Sequence, residues 1–407
     1  MTNVPIPRCR AAGSGVLPAL VLGSAYTVLA AARGLGRSGV DVICPSDSLG
    51  HFARSRWICR RPDGLKPLAD FSSLRVYLER TSLSGAVLIP CDDHWVREVA
   101  MLPEDLLRRF PASSPSAEVI AILLNKAKLA LFLREKDFPA PLTLVLKSGA
   151  DIAQWPEDRF EHSFLKPCDS QRFMARFGRK AFHVHNSQEA ERLYCKAVAE
   201  GIDTVLQEYI PGPGSEHYFI EGFIDAGGTV RALFARRRLR MYPIDFGDST
   251  YSRSVSLAEF GDLGGCLCTV LSSLRYRGIF SAEFKHDRRD GQFKLLEINT
   301  RAWWQIGIAI DSGVNVVAMA YRDALGQPVE TLKSCRVGVG WVAVNRDKKA
   351  CWALYRRGDL SIGSWLWSWL TSTKELFKWD DPLPFLLQAR ARIASLPHRL
   401  GKMAAGR

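Results

Sequence analysis

The chain has 407 residues, 47% hydrophobic and 24% charged, a length and balance that suit two or three globular domains or one multi-lobed enzyme. No apolar run approaches the ~18 residues of a membrane-spanning helix, and ten cysteines with no CxxC pair give neither a disulfide framework nor a zinc pattern, so reduced thiols in a cytoplasmic protein are expected. The net charge of +13 is gathered at one end, with 14 Lys and Arg against 5 Asp and Glu in residues 331–407 and 41 against 37 before them; no nucleic-acid-binding motif accompanies it, so no nucleic-acid partner is expected.

Residues 19–23 read as a buried strand, 26–38 as a helix and 40–44 as a second strand, the opening of a doubly wound α/β unit. Gly34, Gly36 and Gly39 have the GxGxxG spacing but follow a helix and precede a strand, the reverse of a dinucleotide site. Gly39 therefore reads as a helix C-cap. A third strand, 86–90, ends at Cys91-Asp92-Asp93. Open α/β sheets hold ligands at that end, so Asp92 or Asp93 would touch substrate or cap the helix 95–101, and the cap is preferred. Residues 103–115 read as a linker, with PASSPS (111–116) its least ordered part.

Helical spacing over 119–133 carries Lys126, and a strand over 142–146 follows. The strand 163–167 ends in Lys166-Pro167. After it come one glycine, Gly178, and four basic residues, Arg172, Arg176, Arg179 and Lys180. A strand beginning near Thr204 leads into Gln207-Glu208-Tyr209-Ile210-Pro211-Gly212, with Glu216 just beyond. RRRLRMYPIDFGDSTYSR (236–253) reads as an arginine-rich loop in which Arg240 and Arg253 would hold a carboxylate or remain a solvated charge run.

The strands FSAEFKHD (280–287) and QFKLLEIN (292–299) flank Arg289-Asp290-Gly291, which suits a three-residue hairpin loop with Gly291 in the left-handed position. Pairing Arg288 with Gln292 then sets Glu283 opposite Glu297, with Asn299 on the same face and Ala282, Phe284, Leu296 and Ile298 on the core face. Opposed carboxylates destabilise a hairpin unless something neutralises them. A hard divalent cation would do so, with oxygen ligands from Glu283, Glu297 and Asn299, and Arg301 would meet a phosphate charge. The alternative is a polar face that is merely solvated. Trp303 and Trp304 read as packing rather than substrate stacking.

In this order, Lys126, Lys166-Pro167, the QEYIPG segment with Glu216, Glu283, and Glu297-Ile-Asn299-Thr-Arg301 resemble the motifs of the ATP-grasp superfamily, over about residues 1–330. VLGSAYTVLAAARGLGRSGVDVI (21–43) and HFARSRWICRRP (51–62) are similar to the preceding domain in its carboxylate-amine ligase-like branch. The resemblance implies an α/β (α+β) fold. A doubly wound parallel-sheet domain (1–116) would precede an ATP-grasp domain of two α+β lobes (117–330), its lid lobe at about 140–205 and its metal-binding lobe at about 206–330. A basic, Trp-rich and mainly helical extension (331–407) would follow.

The resemblance further implies ATP and Mg²⁺ as cofactors, with Mn²⁺ as substitute. Lys126 and Lys166 would reach the phosphates, Gln207, Glu208, Tyr209 and Ile210 would line the adenine, and Glu216 would meet the ribose. Glu283, Glu297 and Asn299 would hold metal, and Arg301 with Lys166 would serve the transferring phosphoryl group. Many relatives carry a glycine-rich lid loop that 168–180 lacks, so side-chain cations would replace its amides. The implied activity joins a small-molecule carboxylate to an amine through an acyl phosphate, releasing ADP and phosphate. The alternative is a non-catalytic, ATP-binding, membrane-associated scaffold.

Past the resemblance, Ile362, Trp365, Leu366, Trp369, Leu370, Leu376 and Phe377 fit one helical face, followed by Arg390, Arg392, Arg399 and Lys402. This helix is expected to pack on the core. Peripheral contact with an anionic membrane surface at its inner face is the second reading, and assembly into a homo-oligomer stays open.

Overall fold

A computed structural model describes residues 16–23, 25–59, 65–244 and 247–405. Ser24, Arg60 to Pro62 of the second similar stretch, Asp245 and Phe246 lie outside the described residues, as do the side chains of Arg399 and Lys402.

The chain builds three sheets. The first is parallel, in the order β2-β1-β3, from β1 (Ala19–Leu22), β2 (Val42–Ile43) and β3 (Val87–Pro90). Every residue of β1 is buried, as an unbroken apolar run in a parallel sheet requires. The helix Ala25–Arg37 follows β1, and Gly39 beyond it has a φ of 82°, the left-handed conformation that ends a helix. At the end of β3, Asp92 accepts from Trp95 N at 3.0 Å and so caps the helix Asp93–Ala100.

Residues 103–115 are not a linker. Glu104 and Asp105 open, and Arg108 and Arg109 close, a short helix, Glu104–Arg109, with charges that complement its dipole. Phe110 behind it is fully buried. PASSPS lies against two elements, Pro111 O accepting from Leu88 N (2.9 Å) and Ser114 O from Arg277 Nε (2.9 Å). The helical stretch 119–133 is likewise two helices, Ala117–Leu123 and Lys126–Glu135. Asn125 breaks it, its Oδ1 accepting from Ala127 N (3.0 Å) and Lys128 N (3.1 Å), which makes Lys126 the first residue of a helix.

The second sheet is antiparallel, ordered β4-β7-β5-β6 from β4 (Thr143–Val145), β5 (Ser163–Pro167), β6 (Phe182–Val184) and β7 (Thr204–Glu208). The helices Ser170–Phe177 and Ser187–Val198 cover it through a core that includes Phe160, Leu165, Phe173, Phe182 and Leu206. The first of them takes up much of the segment after Lys166-Pro167. Arg172 donates to the Gly201 and Glu200 carbonyls and Arg176 pairs with Glu200 at 2.7 Å.

The third sheet has seven strands: β8 (His217–Ile224), β9 (Val230–Tyr242), β10 (Asp248–Val255), β11 (Gly278–Asp287), β12 (Gln292–Asn299), β13 (Gly340–Val342) and β14 (Thr373–Lys374). Their order is β12-β11-β8-β9-β10-β13-β14. Residues 236–253, read from sequence as a loop, are most of β9 and β10. Alternation decides it: Arg236, Arg238 and Arg240 are all buried on one face, while Ala235 joins Ile220, Ala282 and Ile298 in the core on the other.

The β11–β12 hairpin departs from its expected register in two places. Asp287, not Arg288, pairs with Gln292, so the turn has four residues, 288–291; Gly291 is left-handed (φ 71°) and its N–H donates to Asp287 O at 2.8 Å. A slip of one residue would turn Glu297 to the core face. A bulge cancels it: Phe284 pairs with Leu295, Leu296 is the extra residue, and Glu283 still pairs with Glu297 and Ser281 with Asn299. Leu295 thus takes the core place assigned to Leu296.

The tail is mainly helical, with helices Val344–Arg357, Ile362–Leu370 and Leu383–Ala405, but β13 and β14 also extend the third sheet. The expected single apolar face is divided. Its helix stops at Leu370, so Leu376 and Phe377 lie beyond it. Trp369 Nε1 donates to the buried Asp347 (2.7 Å), whereas Ile362, Leu366 and Leu370 are exposed. Among the described residues, no helix is long and apolar enough to cross a membrane.

Candidate functional site: a cationic cleft with facing carboxylates

Between the second and third sheets lies a cavity of about 230 Å³. Lys126 enters from its helix N-terminus and Lys166 from β5, while Glu208, Tyr209 and Ile210 enter from the end of β7. From the third sheet come Glu283, Leu296 and Glu297, joined by His217, Arg238, Lys285 and Asp248. Seven of the expected site residues thus meet on one wall or another. Leu296 reaches the cavity because the bulge frees it from the core, and with Phe164 and Ile210 it supplies an apolar lining.

The electrostatics follow from burial. Lys166 donates to Gln207 Oε1 at 2.7 Å, and burial together with the nearby Lys126 ammonium pushes its pKa down to about 8. Burial and the Arg238 guanidinium bring Lys285 down to about 8 as well. Burial alone would raise the Glu283 carboxyl. Arg238 Nη2 at 2.9 Å and His217 Nδ1 at 2.7 Å, both on Oε1, outweigh it and hold Glu283 far below the usual carboxylate range. Beside it, Asn299 Nδ2 donates to Glu297 Oε1 at 3.1 Å.

Other expected residues are placed differently. Gln207 is behind the wall, holding Lys166 and donating to Thr143 Oγ1 at 2.9 Å. The backbone N–H groups of Glu208 and Tyr209 donate to the carbonyls of Leu142 (3.0 Å) and His162 (2.7 Å). Glu208 lines the cavity with its carboxylate paired to Arg159 at 2.6 Å and Arg289 at 3.2 Å. Glu216 is off this cavity's wall: Arg288 binds its carboxylate, and His286 and Arg237 stand 3.4 and 3.8 Å away. Arg301 is anchored at the edge of the site by Asp93 (2.6 Å), with its Nη2 3.4 Å from Asn299 Oδ1.

Neither candidate carboxylate-holder in 236–253 faces the cavity. Arg240 is bound by Asp347 through two contacts of 3.0 and 2.6 Å, and Arg253 is exposed. The sequence reading missed His217, Arg238 and Lys285. The alternation FARRRLR, read as a strand, would have put Arg236, Arg238 and Arg240 on one face, though not beside the carboxylates, which lie two and three strands away in the sheet. Trp303 is buried in the core, and Trp304 lines a second cavity beside the first.

No protein-family model matches the chain. It is 23% identical over 261 residues to the D-aspartate ligase of Enterococcus faecium, a match that spans 61% of this chain and 62% of that protein. The solved biotin carboxylase domain of the Hydrogenobacter thermophilus 2-oxoglutarate carboxylase, a complex with MgADP, ADP and bicarbonate, superposes with a TM-score of 0.62 and 15% identity, covering 79% of this chain and 73% of that one. The L-amino acid ligase of Bacillus licheniformis gives 0.55 and 15%, covering 77% and 75%. Likenesses to solved structures at these identities show the fold: the chain has the ATP-grasp fold.

Proposed function

We propose that the chain is an ATP-dependent ligase that joins a carboxylate to an amine. The observation that carries this reading is the pair Glu283 and Glu297, opposed in register and opening into the cavity that receives Lys126 and Lys166. The name D-aspartate ligase and the MgADP of the biotin carboxylase complex support it from outside the chain.

Glu283, Glu297 and Asn299 would hold Mg²⁺. The donor set fits, since all three offer oxygens and Glu283 stays ionised beside Arg238. A metal held there would supply positive charge against that of the phosphates. Lys126 and Lys166 would bind the phosphates as cations. Phe164, Ile210 and Leu296 would pack the base, with the Ile210 backbone reading its edge. A substrate carboxylate oxygen then attacks the γ-phosphorus as the bond to ADP breaks, with Arg301 meeting the charge of the transferring group. The amine nitrogen attacks the acyl carbon, phosphate leaves and the nitrogen gives up a proton. Closure of the lid sheet keeps water from the acyl phosphate.

The test is ADP release by purified protein given Mg²⁺, ATP, a panel of amino-acid carboxylates and a panel of amines. Release that needs a carboxylate and falls at least about a hundredfold in Glu297→Ala is expected. Wild-type turnover in that variant refutes the metal assignment.

A specific observation favours a further reading of location. Of 17 large hydrophobic residues exposed among the described ones, ten lie between Trp352 and Ile393, in the most basic part of the chain. We propose that this surface rests on an anionic membrane.

A further inference from the structure

Resting on the ligase reading above, we propose that the second cavity binds the partner substrate, and that this substrate is a polyanion carrying two or more carboxylate or phosphate groups. The cavity measures about 890 Å³, within the roughly 300–1,000 Å³ of ligand sites and far more than one amino acid requires. It shares Lys180, Gly247 and Asp248 with the nucleotide cleft, so a molecule held in it can present one end to the phosphates. Gly247 lets the backbone approach Tyr242 closely there: a Cβ would stand 2.2 Å from the Tyr242 carbonyl carbon.

Charge identifies the occupant. Arg179 and Lys180 come from the lid lobe, Arg346, Lys348 and Lys349 from the helix Val344–Arg357, and Arg392 from the last helix. Two acids face them. Asp248 is shared between Lys180 (2.8 Å) and Arg346 (2.9 Å), and Glu375 accepts from the Trp304 indole N–H. Burial raises Glu375 to about 8, so it is largely neutral at pH 7. All six cations, drawn from separate elements, stand exposed around one cavity, and with two of them sharing Asp248 the surplus still makes its potential positive, which favours an anion there. Two of these cations lie over rings of the cavity wall, the Arg346 guanidinium 4.7 Å from the Trp304 ring and Lys349 5.6 Å from that of Tyr242. Much of this lining comes from residues 331–407, the part of the chain outside the motif resemblance, so the tail is what would set partner choice.

The experiment is calorimetric binding to the full chain with a non-hydrolysable ATP analogue and Mg²⁺ already filling the first cleft. The probes are triaspartate, fructose 1,6-bisphosphate and, as the uncharged control, trialanine. At least one anionic probe is expected to bind and trialanine is not. A triaspartate preference assigns carboxylates and a bisphosphate preference assigns phosphates. In the doubly reversed variant K348E/K349E the anionic probe should weaken about tenfold or more, while analogue binding and melting temperature stay as in wild type. Failure of both anions to bind, equal binding of trialanine, or unchanged affinity in the variant overturns the proposal. Analogue binding is read separately, so loss of the ligase reading would appear there and not in the probe titration.

Discussion

Lys166 is the residue whose chemistry depends most on its surroundings. On an extended chain it is an ordinary lysine; at the end of β5 burial and the Lys126 ammonium bring it down to about 8, and Gln207 fixes its ammonium. A pKa lowered in the free protein and raised again by phosphate means that nucleotide binding takes up protons as the pH rises through 8 and does so little at pH 7, where the lysine is already charged. Calorimetry of Mg·ATP binding at pH 8 in buffers of different ionisation enthalpy should show an uptake of roughly half a proton from this group, with Lys285 adding to it. Lys166→Arg, charged at every accessible pH, should take up measurably less. Equal uptake in both proteins would show that Lys166 does not meet the phosphates.

At the scale of elements, two devices position the site. The first is the bulge at Leu296, which restores the face alternation that a four-residue turn would have reversed. The second is Arg33 in the helix after β1. Its guanidinium is buried against Asp381 (2.9 Å) and donates to the carbonyls of Leu376 and Asp381, while Ser55 Oγ donates to the same carboxylate at 2.7 Å. It ties the tail to the parallel-sheet domain, and so holds the strands and helices that line the second cavity. Arg33→Met should cost about 3–5 kcal/mol, because Asp381 would remain buried without its cation. Denaturant unfolding measures this, and a loss below about 1 kcal/mol would show that the tail is held by other contacts.

For the whole molecule, the three sheets arrange the charge in layers. A polar face of the seven-stranded sheet pairs Arg236 with Glu221 (2.9 Å) and Arg238 with Glu283, the cleft lies above it, and the outer tail carries the surplus of cations together with exposed Trp352, Trp367 and Trp379. If that surface rests on a membrane, the protein should co-sediment with vesicles containing anionic lipid and not with neutral ones, and the variant W367S/L370S should lose most of this binding at low salt. Sedimentation that ignores lipid charge, or survives the variant, rejects the location.

Residue type and order alone determined much of what the cleft contains. Lys126, Lys166, the segment 208–210, Glu283 and Glu297 are local signals, each on or directly after a strand or helix whose period shows in the sequence, and the order of such signals survives folding. The unbroken apolar runs of β1 and β3 likewise revealed a parallel sheet. What required the tertiary structure were pairings between distant segments. The register of β11 with β12 depended on a bulge that no pattern of period two announces. Glu216 could not be known to meet Arg288, nor Arg240 to meet Asp347, because an ion pair depends on which strands become neighbours. Nor could the tail be placed: its strands join the third sheet only through β10, and its cations converge on a cavity only after that sheet has formed.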